Sequence, residues 1–263
     1  MLGRPQFQIY AIIIIICAVV SLLIIQISLV TDFLMHLKYQ YCSQQFAIIL
    51  LLNSFLCLIA VSLCSAVPSA RGSGIPELKT LFAGTEYYDF LTLPTLVAKY
   101  ASVFCIKLSG FGIGFESAFT HIAAIVGHAA LSTGPFSNMG RRQHYKKLAL
   151  SVCCCVGIVV IFGAPIGGTV FSIELFSSHF QVSNLFKNFM ASSVSYFFFV
   201  LLSRNLIIIR LEYNPVDHFQ KDLLCFVAMG VFLGLVALLS LRFFVFYFSF
   251  LENSRCILLS NNY

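Results

Sequence analysis

The stretch Gly72-Ser73-Gly74-Ile75-Pro76-Glu77 interrupts a chain that is otherwise largely apolar. Its two glycines can take positive φ, its serine carries a hydroxyl donor, and its proline suits the first turn of a helix. It reads as a helix start. Unpaired N–H groups and about half a positive charge at a helix N-terminus make a glycine-lined start an anion cradle, and the Ser73 O–H would add a further donor. A tight turn between two membrane helices accounts for Gly-Ser-Gly-Ile equally well.

The surroundings decide what solvent this start sees. Of 263 residues, 59% are hydrophobic and 10% charged, against about 45–50% and about 25% in a soluble domain, and the mean hydropathy is +0.93. The chain is therefore predicted to be an all-α, polytopic membrane protein. Its net charge of +6 comes from sixteen Lys and Arg scattered without a basic stripe, which excludes nucleic acid as a partner. The apolar run 9–30 follows a short N-terminus with Arg4 and ends without a small-residue cleavage site, so it reads as a retained first helix and not a signal peptide. The cysteines lie in apolar runs without paired spacing, and Cys153-Cys154-Cys155 points its thiols to different sides of a helix. They read as packing residues and no metal site is expected.

Apolar segments recur at 9–30, 45–67, 91–109, 119–131, 148–162, 165–178, 185–202 and 222–250. Runs of about 12 to 15 residues cover only about half of the hydrocarbon core at 1.5 Å per residue. The pieces around 74–83, 116–131 and 165–178 are therefore predicted to be half-helices or tilted helices whose ends lie at membrane depth. Backbone groups at such ends are tolerated only in protein or beside a wet cavity. The joint 140–147, with Arg141, Arg142, Lys146 and Lys147, is assigned to the cytoplasm by the positive-inside bias.

Two further stretches stand out. In Gly110-Phe111-Gly112-Ile113-Gly114-Phe115-Glu116-Ser117-Ala118 three alternating glycines precede a carboxylate and then a helix. An ionisable residue at membrane depth usually faces a pore or a partner, although Glu116 capping its own helix would also use the dipole. The glycine spacing is not a dinucleotide fingerprint. His121 and His128 read as packing or pore-rim residues. In Gly163-Ala164-Pro165-Ile166-Gly167-Gly168-Thr169-Val170-Phe171-Ser172-Ile173-Glu174, the proline ends one helix and begins the next, and the small residues permit close backbone packing.

Taken together, "GSGIPELKT", "GIGFESAFTHIAAIV" and "GAPIGGTVFSIE" resemble, in order and spacing, the voltage-gated chloride channel (CLC) family. The resemblance covers nearly the whole chain and implies one half of that family's inverted-repeat fold, with tilted and broken helices. It implies an anion site made by Gly72, Ser73, Gly74, Ile75, Pro76, Gly114, Phe115 and Ser117, with chloride as the transported ion, no cofactor and no enzymatic activity. Glu116 falls on the family's gating glutamate, whose carboxylate competes with chloride along the pathway. Leu175 stands where animal chloride/proton exchangers generally carry a second glutamate, which implies the channel branch; the alternatives are a chloride/proton antiporter or a truncated, non-conducting fragment. A homodimer in the bilayer is implied, with 165–178 and 185–202 in its contact, and residence in the plasma membrane.

Departures from the pattern accompany the match. Phe115 replaces the family's Lys or Arg, and Ser117 and Ala118 replace its Gly-Pro, so a positive charge is missing beside the gate. Residues 1–263 correspond to part of the membrane domain; the expected remainder of the second half and the cytoplasmic regulatory domains have no counterpart in the sequence. A third class, an intramembrane hydrolase using Ser73 with His121 as base, lacks the required glycine context, since Arg71 and Ile75 occupy those places.

Overall fold

Among the residues described by the computed structural model, 5–42, 45–85, 89–132, 137–140, 142–176, 182–203 and 219–260, there is no strand. The helices are α1 (Pro5–Cys42), α2 (Phe46–Ala66), a 3-10 turn (Pro68–Ala70), α3 (Ile75–Ala83), α4 (Leu93–Ser109), α5 (Glu116–Ser132), α6 (Ser137–Gly140), α7 (Gln143–Phe162), α8 (Pro165–Phe176), α9 (Val182–Ser203) and α10 (Phe219–Ser260). Five of them, α1, α2, α7, α9 and α10, are long and apolar enough to cross a membrane. With many large apolar side chains exposed, the chain is an integral membrane protein.

The chain divides into two units, 1–208 and 209–263. The described part of the second is α10, whose Phe232, Leu239 and Phe246 are all exposed. In the first unit α5 lies against α7, α1 crosses both and reaches α9, and α2 packs on α4. Ile16, Val20, Ile122, Val152 and Val156 form the centre of its core and are fully buried.

One expectation needs adjustment. The first helix extends well beyond the apolar run 9–30, to 38 residues, because its polar residues find partners. Thr31 Oγ1 donates to the Ile27 carbonyl at 2.7 Å, Asp32 pairs with Lys107 at 3.3 Å, and Lys38 Nζ donates to Asn53 Oδ1 at 3.0 Å and the Leu108 carbonyl at 2.8 Å. α5, expected over 116–131 as a half-helix or a tilted helix, runs over Glu116–Ser132, about 25 Å at the usual rise and so short of the hydrocarbon core. α3 and α8, at nine and twelve residues, are short as expected.

Small residues bring the helices together. A Cβ on Gly127 would meet Cys153 Sγ, and one on Gly157 would lie 3.2 Å from Thr120 Cα. The three successive thiols indeed diverge: Cys153 faces Gly127, Cys154 joins the cluster of Leu78, Phe90, Ala124 and Leu150, and Cys155 approaches the Asn188 carbonyl at 3.5 Å. A polar seam links α7, α8 and α9, with Asn188 Nδ2 donating to Ser151 Oγ at 2.9 Å and Ser172 Oγ at 3.1 Å, and Thr169 Oγ1 donating to Ser192 Oγ at 2.9 Å.

Gly168 is where α8 rests on α7: an added Cβ would run into Val159 Cγ2 and lie 3.2 Å from both the Cys155 carbonyl oxygen and the Val159 nitrogen. Backbone cannot step aside as a flexible side-chain tip can. Gly168→Val is therefore expected to destabilise the detergent-solubilised protein by about 1–3 kcal/mol, seen as a lower thermal midpoint by circular dichroism. An unchanged midpoint would mean that α7 and α8 do not pack this closely.

Candidate functional site

The Gly72–Pro76 segment is shaped by its glycines. After the 3-10 turn, Gly72 (φ +66°) and Gly74 (φ +85°) take left-handed conformations on either side of Ser73. Gly74 is the residue before α3, and its carbonyl accepts the first helical bond from Leu78 N at 3.0 Å. Ser73 Oγ accepts from Ile75 N at 3.3 Å, and Pro76 occupies the first turn. The stretch is thus a helix start. Arg71 holds the preceding element, Nε donating to the Cys64 carbonyl at 2.9 Å at the end of α2.

His121 sets the depth of this start. Its ring is fully buried, stacks on Phe90 at 4.0 Å, and places Nε2 3.1 Å from the Phe90 carbonyl oxygen. A Cβ on Gly74 would lie 2.9 Å from His121 Cγ and Nδ1. The ring is therefore a buttress under Gly74, and its Nε2 is directed to Phe90 and not to Ser73.

The second stretch leaves α4 at Gly110 (φ +75°), whose N–H donates to the Lys107 carbonyl at 3.1 Å. Residues 111–115 are irregular, and α5 begins at Glu116. Phe119 N donates to the Phe115 carbonyl at 3.0 Å, and Thr120 Oγ1 to the Glu116 carbonyl at 2.7 Å. The Glu116 carboxylate folds back over Gly114, where Oε2 fills the place a Cβ would take.

Both stretches line one cavity of about 270 Å³, the first through Gly72 and Ser73, the second through Gly114, Phe115 and Ser117. Gly74, Ile75, Pro76 and Glu116 are not among its walls. Lys99 is, although no motif around it in the sequence marks it as a site residue. This lysine is 3% exposed, and its Nζ donates to the Ala70 carbonyl at 3.1 Å and the Gly72 carbonyl at 2.6 Å. The signal for it in the sequence is a charged residue in the middle of a membrane helix, away from the end where Lys107 sits.

The third stretch is architectural. Gly163 (φ +61°) ends α7, its N–H donating to the Val159 carbonyl at 2.8 Å, and Pro165 begins α8. Glu174 is exposed near the end of α8; the backbone of Leu175 belongs to that helix, and its side chain lies outside the described residues.

The model of the family described as voltage gated chloride channel matches residues 55–260. The chain belongs to this family. Chloride channel protein E of Dictyostelium discoideum is 32% identical over 76% of the chain, and human chloride channel protein 1 is 36% identical over 64% of it. Among solved structures, a eukaryotic CLC transporter shares the fold, with a TM-score of 0.69 and 26% identity over 74% of the chain. The chain spans 20% of the Dictyostelium protein, 18% of the human one and 38% of the transporter chain.

Proposed function

We propose that the chain supplies part of a chloride pathway of the channel type, in which an anion occupies the cavity between the starts of α3 and α5. The observation that carries this reading is the shared wall: Gly72 and Ser73 meet Gly114, Phe115 and Ser117 around one space inside a membrane protein of this family. Ser73 would turn its O–H to the ion, because its oxygen already accepts from Ile75 N and leaves the hydroxyl proton unspent. Amides at the two starts would replace part of the ion's hydration. Gly74, Ile75 and Pro76 act behind the wall, fixing the direction of α3, and Glu116 is proposed as the gate. No cofactor and no catalytic step are proposed.

The channel branch is favoured over the chloride/proton antiporter by Leu175, since a leucine cannot relay protons. The assembly is proposed to be a homodimer, in the plasma membrane, meeting through α8 and α9. Ile166, Val170, Phe186 and Phe197 present an exposed apolar surface there.

Calorimetric titration of the detergent-solubilised chain with chloride tests the site directly. Saturable binding that Ser73→Ala weakens several-fold is expected, whereas no chloride heat above the buffer control would overturn the reading. In vesicles that show chloride flux, a chloride gradient should move no protons; acidification tracking the flux would select the antiporter.

A further inference from the structure

We propose that Lys99 is the cation of the anion cavity: it ties up the carbonyl oxygens of the α3 entry turn and supplies the positive charge that Phe115 cannot. This deepens the chloride reading above and rests on it. A turn that offers amides to an anion must put its carbonyls somewhere, and the carbonyls of Ala70 and Gly72 belong to residues lining the same cavity. Left bare, these oxygens would present the negative end of the peptide dipole to an approaching anion. Lys99 Nζ takes both, at 3.1 and 2.6 Å.

An ammonium has three N–H donors, so a third remains for the cavity beyond these two bonds. Among the described residues Lys99 is the only Lys or Arg on the cavity wall, and no carboxylate shares that wall. Burying an ammonium against neutral carbonyls leaves its charge uncompensated, which is costly without a counter-ion. Glu77 is near enough for its charge to be felt at Lys99 and has a buried Oε2 without a hydrogen-bond partner. It lies outside the cavity wall, so it tempers the field without occupying the anion's place.

The test is chloride calorimetry on the whole detergent-solubilised chain, with folding checked by size-exclusion profile and circular dichroism. Lys99→Met and Lys99→Gln should each weaken chloride binding by about tenfold or more, as expected for losing a unit charge in a partly desolvated site. Lys99→Arg should stay within a few-fold of the parent. Glu77→Gln should tighten binding by relieving the anion of a nearby negative charge. If the neutral Lys99 variants fail to fold, the pH profile decides the matter: chloride affinity should fall at alkaline pH in the parent and hold in Lys99→Arg, whose guanidinium keeps its charge, and an identical fall in both would overturn the assignment. Parent-like affinity in folded Lys99→Gln, or a Lys99→Arg as weak as Lys99→Met, would overturn the assignment of charge to Lys99 while leaving the chloride site intact. If the parent itself binds no chloride, the anion reading fails, and this inference fails with it.

Discussion

Gly74→Ala should cost about 3 kcal/mol or more of stability, although it adds a single methyl group. Two penalties coincide at this position. A non-glycine residue at φ +85° is strained, by about 1–2 kcal/mol. The new Cβ would also lie 2.9 Å from His121 Cγ and Nδ1 and 3.0 Å from His121 Cβ. That ring has no retreat, being fully buried, stacked on Phe90 at 4.0 Å and bonded through Nε2 to the Phe90 carbonyl. Gly72 separates the two effects. Its φ is +66°, but a Cβ there meets nothing within 4 Å, so Gly72→Ala should cost only the strain. The fully buried thiols of Cys153, Cys154 and Cys155 report unfolding when a thiol-reactive dye reaches them on heating. The expected order of midpoints is parent, Gly72→Ala, then Gly74→Ala well below. His121→Ala in the Gly74→Ala background should return part of the loss, a non-additivity that marks direct contact. Equal midpoints for the two alanine variants would show that His121 does not buttress the turn.

That contrast also marks what the sequence could and could not convey. Glycine and proline act locally, so the start at 72–76, the break at 163–165 and the shortness of α3 and α8 were legible from residue types alone. The extent of α1 was not, because its polar residues are held by partners far along the chain: Lys107 for Asp32, and Asn53 and the Leu108 carbonyl for Lys38. Periodicity counts those residues as breaks, while the fold satisfies them. The same limit applies to the cavity. Ser73 and Ser117 are 44 positions apart by their numbering, and only the packing of α3, α4 and α5 puts both on one wall. Lys99 carries no motif around it, and what distinguishes it is the pair of carbonyls that tertiary structure brings to its ammonium. For His121 the sequence leaves packing and pore rim both open, and its approach to Gly74 explains why a bulky, polar ring stands behind a glycine.

Glu116→Gln is expected to tighten chloride binding by about tenfold or more, because a carboxylate that competes for an anion's place repels it by several kcal/mol at a few Å even at an effective dielectric near 20. Binding is the informative readout, since it reports the competition whether or not the chain conducts. Where currents are obtained, the same substitution should remove the gate, and currents with unchanged gating would withdraw Glu116 from that role. The fold offers a second way to unseat the carboxylate without altering its charge. Glu116 Oε2 occupies the space over Gly114 that a Cβ would need, and the obstructing atom is the far end of a flexible side chain, so Gly114→Ala should displace the carboxylate at little cost in stability. If the folded-back position shields the cavity from the charge, Gly114→Ala will swing the carboxylate toward the anion and weaken binding, opposite to Glu116→Gln. In the Glu116→Gln background that opposition should vanish, because no charge is left to move. An affinity change in Gly114→Ala that persists undiminished in the double variant would trace to the backbone at 114 and not to the carboxylate, and the proposed competition between Glu116 and the anion would then have no support from its geometry.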